Sequence, residues 1–372
     1  RPGEGASKVG AHREPLTLPS LLATMRGSRS RRLSEQSRLV VALNAVIIAI
    51  TDEQPRVLTV AVPEDVAIEN IGSLDGAAEG RRLAALPSGP LDPAGDRTLE
   101  LALRRWVRAS TGLELGYVEQ LYTFGDRFRS PGEAEGGARV VSAAYLALVR
   151  ESELPAGLSA SWRSVYRFLP WEDWRSGRPE VVDTIIVPRV TGWVRQGEGR
   201  PTGSDRAERA GVTFGIEGGV WDGERVLHRY ELLYQLRVVA EAARDSDRLD
   251  TDAVMDESFV STGVEMAFDH RRILASALGR IRAKIKYRPV IFELMPETFT
   301  LFELQRAVEA LAGVRLHKQN FRRLVEHGGL VEGTGARRTH TGGRPAELFR
   351  FRRPVVLERP APGVGLPGVR RA

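Results

Sequence analysis

The hydrophobic positions in the first half of the chain lie in long, nearly continuous runs. Apolar residues fill most of 39–50, 56–62 and 137–149, and such runs are typical of strands buried on both faces. A polar turn separates the first two runs, so they predict the opening hairpin of a sheet. Two shorter apolar segments, 83–89 and Val181–Val190, predict further strands.

Other segments have the 3.6-residue spacing of amphipathic helices. One begins after a cap at Asp96 or Thr98 and ends at Gly112. A second spans Glu224–Arg244. The predicted buried side of the helix that ends at Gly112 comprises Leu99, Ala102, Leu103, Trp106 and Val107.

A further helix, capped by Asp269, connects this half of the chain to the rest. Pro289 ends it, because the residue before a proline is biased away from helical geometry. We therefore predict a closing helix over 269–288. Its inner face comprises Ile273, Ala277, Leu278, Ile281 and Ile285.

Residues 151–177 are rich in aromatic side chains, and many of the residues between them are polar. Two interpretations remain open. The rings stack on a nucleotide base, or they pack a lid or a dimer interface. The residues concerned are Trp162, Tyr166, Phe168, Trp171 and Trp174.

Two independent signals mark the start of a helix at Thr300. Thr300 and Glu303 have the spacing of a capping box, and Phe299 and Leu304 flank them as a hydrophobic staple. Gly313 follows the last apolar position and predicts the C-terminal cap.

A second helix, His317–His327, follows within a few residues, and Gly328 and Gly329 end it. A strand, a Gly-rich tip and a return strand ending at Phe351 then predict a β-ribbon. This order predicts a winged helix-turn-helix domain. The inner stripe of the second helix comprises Phe321, Leu324 and Val325.

Basic charge is concentrated in this C-terminal part. Residues 315–353 hold ten Lys and Arg against three Glu, a net +7, whereas the whole chain carries +6. Residues 1–38 add about +5 and residues 354–372 about +2, which leaves about −8 on residues 39–314. An acidic body therefore carries a basic module whose expected partner is a polyanion.

Double-stranded DNA suits this module, because a single helix fits the major groove. A protein-binding winged helix with a solvated basic face is the alternative. The helix residues expected to face DNA are Lys318, Gln319, Asn320, Arg322 and Arg323. The ribbon residues expected to meet phosphate or the minor groove are Arg337, Arg338, His340 and Arg344.

The composition excludes several classes of function. The 372 residues include no Cys, which rules out disulfides, thiol catalysis and Cys-ligated zinc, and fits a reducing compartment. The longest apolar run, Val40–Ile50, is too short to cross a bilayer. We therefore expect a cytoplasmic protein without a membrane partner.

The sequence LPSG at 86–89, followed by a helix ending RRWVRASTGLE, resembles the Nudix box. Aligned on Gly112, Arg105 matches the box arginine, although the spacing from Gly89 is about two residues longer than the pattern. Box glutamates hold Mg²⁺ against a pyrophosphate, which requires carboxylate oxygens. We therefore expect a Nudix-like scaffold with no catalytic residue and no metal site. The glutamates are replaced here by Arg97, Trp106, Ala109 and Ser110.

The order of motifs resembles the Nudix-related (NrtR-like) transcriptional regulators of NAD metabolism, including their alphaproteobacterial branch. The resemblance rests on FDH with its following helix at 268–284, KQNFRR at 318–323 and GGRPAELFRF at 342–351. It implies an α+β protein, a Nudix-like α/β/α sandwich followed by a C-terminal winged helix-turn-helix. It also implies a homodimeric repressor of NAD biosynthesis or salvage genes that binds a pseudo-palindromic operator, with ADP-ribose or a related nucleotide as effector and no cofactor.

Residues carry over from this resemblance position by position. Arg105 and Arg139 match effector positions and could pair with phosphate oxygens, although a structural salt bridge explains either arginine equally well. The positions that match DNA-facing motifs are Lys318, Asn320, Arg322, Arg323 and Arg344.

Two other functions remain open: a Nudix-type ADP-ribose pyrophosphatase with an accessory nucleic-acid module, and a winged-helix adaptor that binds protein. The predicted domains are a disordered basic tail at 1–38, the effector-binding body at 39–288, the winged helix-turn-helix domain at 289–353 and a disordered tail at 354–372.

Overall fold

The computed structural model describes most of the chain between the two termini. The predicted tail 1–38, His340 and Arg344 lie outside the described residues. The described ranges are 39–63, 82–126, 138–155, 159–199, 203–216, 218–247, 262–339 and 345–365.

In the described part of the chain, seven strands form a mixed sheet in the order β3-β2-β1-β6-β5, with β4 paired to β1 and β7 paired to β2. Strands β1 and β6 pair in parallel over ten residues, and the other pairs are antiparallel. The strands are β1 Leu39–Thr51, β2 Gln54–Pro63, β3 Arg82–Ala85, β4 Ser88–Pro90, β5 Tyr117–Phe124, β6 Arg139–Leu148 and β7 Ala160–Ser164. The predicted strand at 83–89 is thus two short strands that pair with different neighbours.

The central strand β1 is buried on both faces, which explains its continuous apolar sequence. Leu43, Ala45 and Ile47 face one helical layer, whereas Val46 and Ile48 face the other. This alternation follows the two-residue period of a strand. The sheet is therefore the middle layer of an α/β/α sandwich.

Helix α1 (Leu99–Thr111) covers the first face and begins at the predicted Thr98 cap, whose side chain accepts a hydrogen bond from the Leu101 amide. Gly112 ends it in the left-handed region, at φ 72°. Helix α7 (His270–Ile285) covers the other face, with its predicted inner side buried. Asp269 occupies the predicted N-cap position, but its side chain makes no capping hydrogen bond.

The other helices of the body come between β7 and α7 in the sequence. A short helix, α2 (Val165–Phe168), and a 3₁₀ turn, Pro170–Glu172, come first, and a π-helical turn, Val182–Ile186, leads into α3. The helices that follow are α3 Val187–Arg195, α4 Gly203–Phe214, α5 Val226–Gln235 and α6 Ala240–Asp247.

Two predictions in this region are wrong. Val181–Val190 is helical: Val182, Ile186 and Val190 are buried at a spacing of four, so β-branched side chains here line a helix rather than a strand. The helix predicted over Glu224–Arg244 is two helices, and the break between them contains Arg237 at φ 54°.

The C-terminal part contains a second unit with its own β-ribbon. Its elements are a 3₁₀ turn Val290–Leu294, α8 Leu301–Ala312, α9 Lys318–His327, β8 Val331–Arg338 and β9 Ala346–Phe351. This helix-turn-helix and wing confirm the predicted α+β class, a sandwich followed by a winged helix-turn-helix. A single buried cluster includes Ile48 of the sheet, Ile281 of α7 and Phe321 of α9, so the winged-helix domain shares its core with the body.

The chain after the wing packs back onto the molecule. Helix α10 (Val355–Glu358) buries Val355, and the amide of Val364 donates to the carbonyl of Ile285 at 2.9 Å. The prediction of a disordered tail is therefore wrong for residues 354–365, and residues 366–372 lie outside the described chain. Within the described residues, no helix is long and apolar enough to span a bilayer.

Candidate nucleic-acid interface and Nudix-box region

The first helix of the winged-helix domain is fixed at both ends by its own sequence. The Thr300 amide donates to Glu303 Oε2 at 2.8 Å and the Glu303 amide donates to Thr300 Oγ1 at 3.2 Å, which completes the predicted capping box. Gly313 ends the helix at φ 72°. These local bonds satisfy amides that a helix terminus otherwise leaves without partners.

The turn between α8 and α9 is organised by a buried carboxylate. Glu309 Oε1 accepts from the Leu316 amide at 2.9 Å and from Gln305 at 2.8 Å, while Oε2 accepts from Arg306 and Arg315, each at 2.8 Å. Burial alone would raise the pKa of Glu309, but these hydrogen bonds outweigh it and hold the pKa below its ordinary value. Glu309 therefore sets where α9 begins.

Helix α9 is strongly two-sided. Phe321 and Val325 are buried at 2% and 0% exposure, and Leu324 is half-buried. The outward residues are all exposed, and Arg322 and Glu326 make a loose contact of 4.0 Å among them. The structure brings together on this face Lys318, Gln319, Asn320, Arg322 and Arg323.

The wing is attached to the base of α8. The amide of Phe349 donates to the carbonyl of Phe299 at 2.8 Å, and the reverse bond is 2.9 Å. Arg338 forms an ion pair with Glu303, the capping-box carboxylate, whereas Arg337 is exposed. Of the predicted ribbon residues, the structure thus points Arg337 to solvent and gives Arg338 an internal partner.

In the helix that resembles the Nudix box, the indole of Trp106 stands where the box pattern has a glutamate. Trp106 is 9% exposed, and a Cβ added to Gly89 would lie 2.2 Å from its Nε1 atom. The ring therefore lies directly on the backbone of the LPSG segment, in the apolar layer under α1. Among the described residues, no group of three or more His, Asp or Glu side chains is arranged to hold a metal ion.

The two predicted effector arginines have separate local partners. Arg105 Nε donates to Asp96 Oδ1 at 3.2 Å, and Arg139 Nη2 donates to the carbonyl of Gly125 at 2.8 Å. Their assignment to an effector remains a prediction. The Arg105 contact is a structural salt bridge, whereas the Arg139 contact is a hydrogen bond to a backbone carbonyl.

The aromatic segment 151–177 packs inward rather than forming an open stacking platform. Phe168 and Trp171 are fully buried, and the Tyr166 hydroxyl donates to the carbonyl of Ala310 on α8 at 2.6 Å. Trp174 lies against Trp221 with ring centroids 4.6 Å apart. The hydrogen bond from Tyr166 to the winged-helix domain could not be predicted from the sequence, because 144 residues separate Tyr166 from Ala310.

Comparison with known families identifies the C-terminal domain. The family model of the NrtR DNA-binding winged helix domain matches residues 291–351. Residues 291–351 are an NrtR-type winged-helix domain. The match includes α8, α9 and both strands of the wing, so the NrtR-type domain contains every described residue predicted to face DNA.

A curated relative and two solved structures are also similar to the chain. The ADPR responsive transcriptional repressor NtrR of Acinetobacter baylyi is 41% identical over 88 residues, which is 24% of this chain and 35% of that protein. Shewanella oneidensis NrtR in complex with a 27mer DNA is 21% identical at a TM-score of 0.47, covering 85% of this chain and 95% of that one. The NUDIX domain of the same NrtR with ADP ribose is 26% identical at a TM-score of 0.26, covering 35% and 75%.

Proposed function

We propose that this chain is a DNA-binding transcriptional repressor of NAD biosynthesis or salvage genes. The observation that carries the proposal is the exposed basic face of α9 on an NrtR-type winged-helix domain. Backbone phosphates attract such a face, and Arg, Lys, Asn and Gln side chains are those that read base edges in the major groove. The repressor activity named for the Acinetobacter relative agrees with this assignment.

The body is proposed to bind ADP-ribose or a related nucleotide and thereby to change the affinity for DNA. The name of the Acinetobacter relative, an ADPR responsive repressor, supports this effector. A nucleotide shifts DNA affinity only if it binds two arrangements of the protein unequally. In a homodimer on a pseudo-palindrome, a change in spacing between two copies of α9 would provide those two arrangements.

The body is proposed to bind its nucleotide without hydrolysing it. The position of Trp106 supports this, since an apolar ring on Gly89 occupies a place where Mg²⁺ chemistry requires carboxylates. Hydrolysis of ADP-ribose in the presence of Mg²⁺ would instead assign the chain to the pyrophosphatase alternative.

The test is a titration of DNA from the promoters of the source organism's own NAD genes, at two salt concentrations, with and without ADP-ribose. The proposal expects preference over random DNA, steep weakening with salt and a shift on adding ADP-ribose. Equal affinity for promoter and random DNA would overturn the NAD assignment. If the chain binds no DNA at all, the protein-binding adaptor becomes the better assignment.

A further inference from the structure

A buried ion network lies where the body, residues 39–288, meets the winged-helix domain. Arg229 of α5 donates from Nε to Glu172 Oε1 at 2.6 Å and from Nη2 to Oε2 at 3.0 Å. Arg282 of α7 donates from Nη1 to Glu172 Oε2 at 2.5 Å. The side chains are 0% exposed for Glu172 and Arg229 and 3% for Arg282. Burial alone would raise the pKa of Glu172, but the two guanidinium charges hold it below its ordinary value.

Arg282 of this network, together with Tyr166 and Trp174, caps the C-terminal end of α8. Arg282 Nε donates to the carbonyl of Leu311 at 3.0 Å, and the Tyr166 hydroxyl donates to that of Ala310 at 2.6 Å. The Trp174 amide donates to the carbonyl of Gly313 at 2.6 Å. The last carbonyls of a helix have no partner within it and carry partial negative charge, so a cation and donors from the body suit them.

The contact is also sterically closed. Gly313 has φ 72°, and a Cβ added there would lie 2.3 Å from the carbonyl oxygen of Glu172 and 2.6 Å from Arg282 Nη2. We call Glu172, Arg229, Arg282 and Tyr166, together with the backbone of 310–313, the Glu172 joint. The joint leaves no space for α8 to slide against α7 without breaking these contacts.

We propose that the Glu172 joint fixes the orientation of the winged-helix domain on the body and transmits changes in the body to the DNA-facing helix. The part of this inference that concerns DNA and nucleotide rests on the function proposed above. Glu172 is the key positioning residue, because its carboxylate separates two buried guanidinium groups. Without that carboxylate the joint holds two uncompensated buried cations, which is strongly unfavourable.

The route from the joint to α9 is short. Arg282 holds the carbonyl of Leu311, at the end of α8, and Glu309, two residues earlier in the same turn, holds the amide of Leu316, just before α9. Helix α7 therefore contacts α8 directly, and α8 holds the start of α9. A displacement of α7 is passed on through hydrogen bonds rather than through a flexible linker.

A matched control lies at the other end of α7. Glu241 of α6 pairs with Arg271 of α7 at 3.1 Å, and their side chains are 1% and 0% exposed. The hydrogen bonds of this pair go to the body, with the Met266 amide donating to Glu241 and Arg271 Nε donating to the carbonyl of Phe168. Glu241→Gln therefore breaks a buried ion pair of the same kind without changing the contact with α8.

A second, milder pair of variants covers the case in which loss of a buried carboxylate prevents folding. Tyr166→Phe removes the hydrogen bond to Ala310 and keeps the ring. Tyr234→Phe removes the 2.7 Å hydrogen bond from Tyr234 to Asp245. That bond joins α5 to α6 and lies within the body.

The experiment measures the distance between the two parts of the full chain. Because the protein has no Cys, labels can be placed at Glu114→Cys on the body and Glu326→Cys on α9, both exposed positions. Spin-labelled chain diluted with unlabelled chain gives intramolecular distances by pulsed electron paramagnetic resonance. We expect Glu172→Gln and Tyr166→Phe to broaden the distance distribution, and Glu241→Gln and Tyr234→Phe to leave it as in the wild type.

The same variants are then titrated with operator DNA, with and without ADP-ribose. We expect Glu172→Gln to reduce DNA affinity or its response to ADP-ribose by about tenfold, relative to Glu241→Gln. Distance distributions that are the same in the joint variants and their controls would overturn the inference. If the wild type ignores operator and ADP-ribose, the proposed function fails, while the distances still decide whether the joint fixes the domain.

Discussion

The exposed face of α9 and the Glu172 joint both depend on arginine, yet they use it in opposite ways. Arg322 is 51% exposed and has, within the described residues, one loose contact at 4.0 Å, whereas Arg229 is fully buried and makes two hydrogen bonds to one carboxylate. An exposed arginine with little internal bonding is available to a phosphate or a base. A buried one must be neutralised within the protein. Burial, rather than residue type, therefore separates the arginines predicted to face DNA from those proposed to position the domain.

The largest effect is expected on the buried side of α9. Phe321→Ala should lower the free energy of unfolding of the winged-helix domain by about 3–5 kcal/mol, because it leaves a cavity in a fully packed core. Denaturant unfolding measures this loss. Leu324→Ala, one turn on and only half-buried, is the control and should cost clearly less. Equal losses would mean that Phe321 is not the more deeply packed of the two, as described.

The next effect concerns the turn that starts α9. Glu309→Gln should lower the free energy of unfolding by roughly 1–3 kcal/mol, because a buried acceptor of four hydrogen bonds loses its charge. The pKa of Glu309 is lower in the folded protein than its ordinary 4.5. Its stabilising contribution is therefore present above pH 4.5 and is lost as the pH falls through the folded value.

Unfolding curves at pH 7 and at several pH values below 4.5 test this. The difference between wild type and Glu309→Gln should shrink on acidification. Glu358→Gln serves as a control, since its pair with Arg352 lies at the surface, and should change stability little. A gap that stays constant with pH would contradict the role given to the Glu309 charge.

A third prediction separates binding from stability. Arg322→Ala and Arg323→Ala should each weaken specific DNA binding by about 1–3 kcal/mol where the side chain contacts a base, with unfolding changed by no more than about 0.5 kcal/mol. Fluorescence anisotropy and denaturant unfolding measure the two quantities. Arg178→Ala, at an exposed position of the body, is the control and should alter neither. A loss of stability without a loss of binding would move these arginines into the structural group.

The smallest effect distinguishes two neighbours on the wing. Arg337→Gln should reduce the slope of log affinity against log salt by about 0.9, the value of one phosphate contact on B-DNA. Arg338→Gln should leave the slope unchanged, because Arg338 is paired with Glu303. Salt titrations of both variants provide the measurement. The same loss of slope in both would show that the Arg338 pair opens when DNA binds.

The parts of the fold that the sequence predicts well are those fixed by local contacts. The capping box at Thr300, the left-handed stops at Gly112 and Gly313 and the buried stripe of α9 each depend on residues a few positions apart. Local chemistry therefore suffices for them.

Elements that depend on distant contacts were not predictable in the same way. Val181–Val190 has the β-branched composition of a strand, and its helical form follows from packing of Val182, Ile186 and Val190 into the core. The Glu172 joint unites residues 57 and 110 positions apart, and no local pattern marks them as partners. Arg338 was expected to face DNA because its charge is visible in the sequence, but its partner Glu303 is 35 residues away.

The most direct test of the account compares operator binding by the wild type with that of the Arg322→Ala, Arg323→Ala double variant, with and without ADP-ribose. We expect tight, salt-dependent binding by the wild type that ADP-ribose shifts, and a loss of operator preference in a double variant that remains as stable as the wild type. Unchanged operator binding by the double variant would contradict the claim that the exposed face of α9 reads DNA.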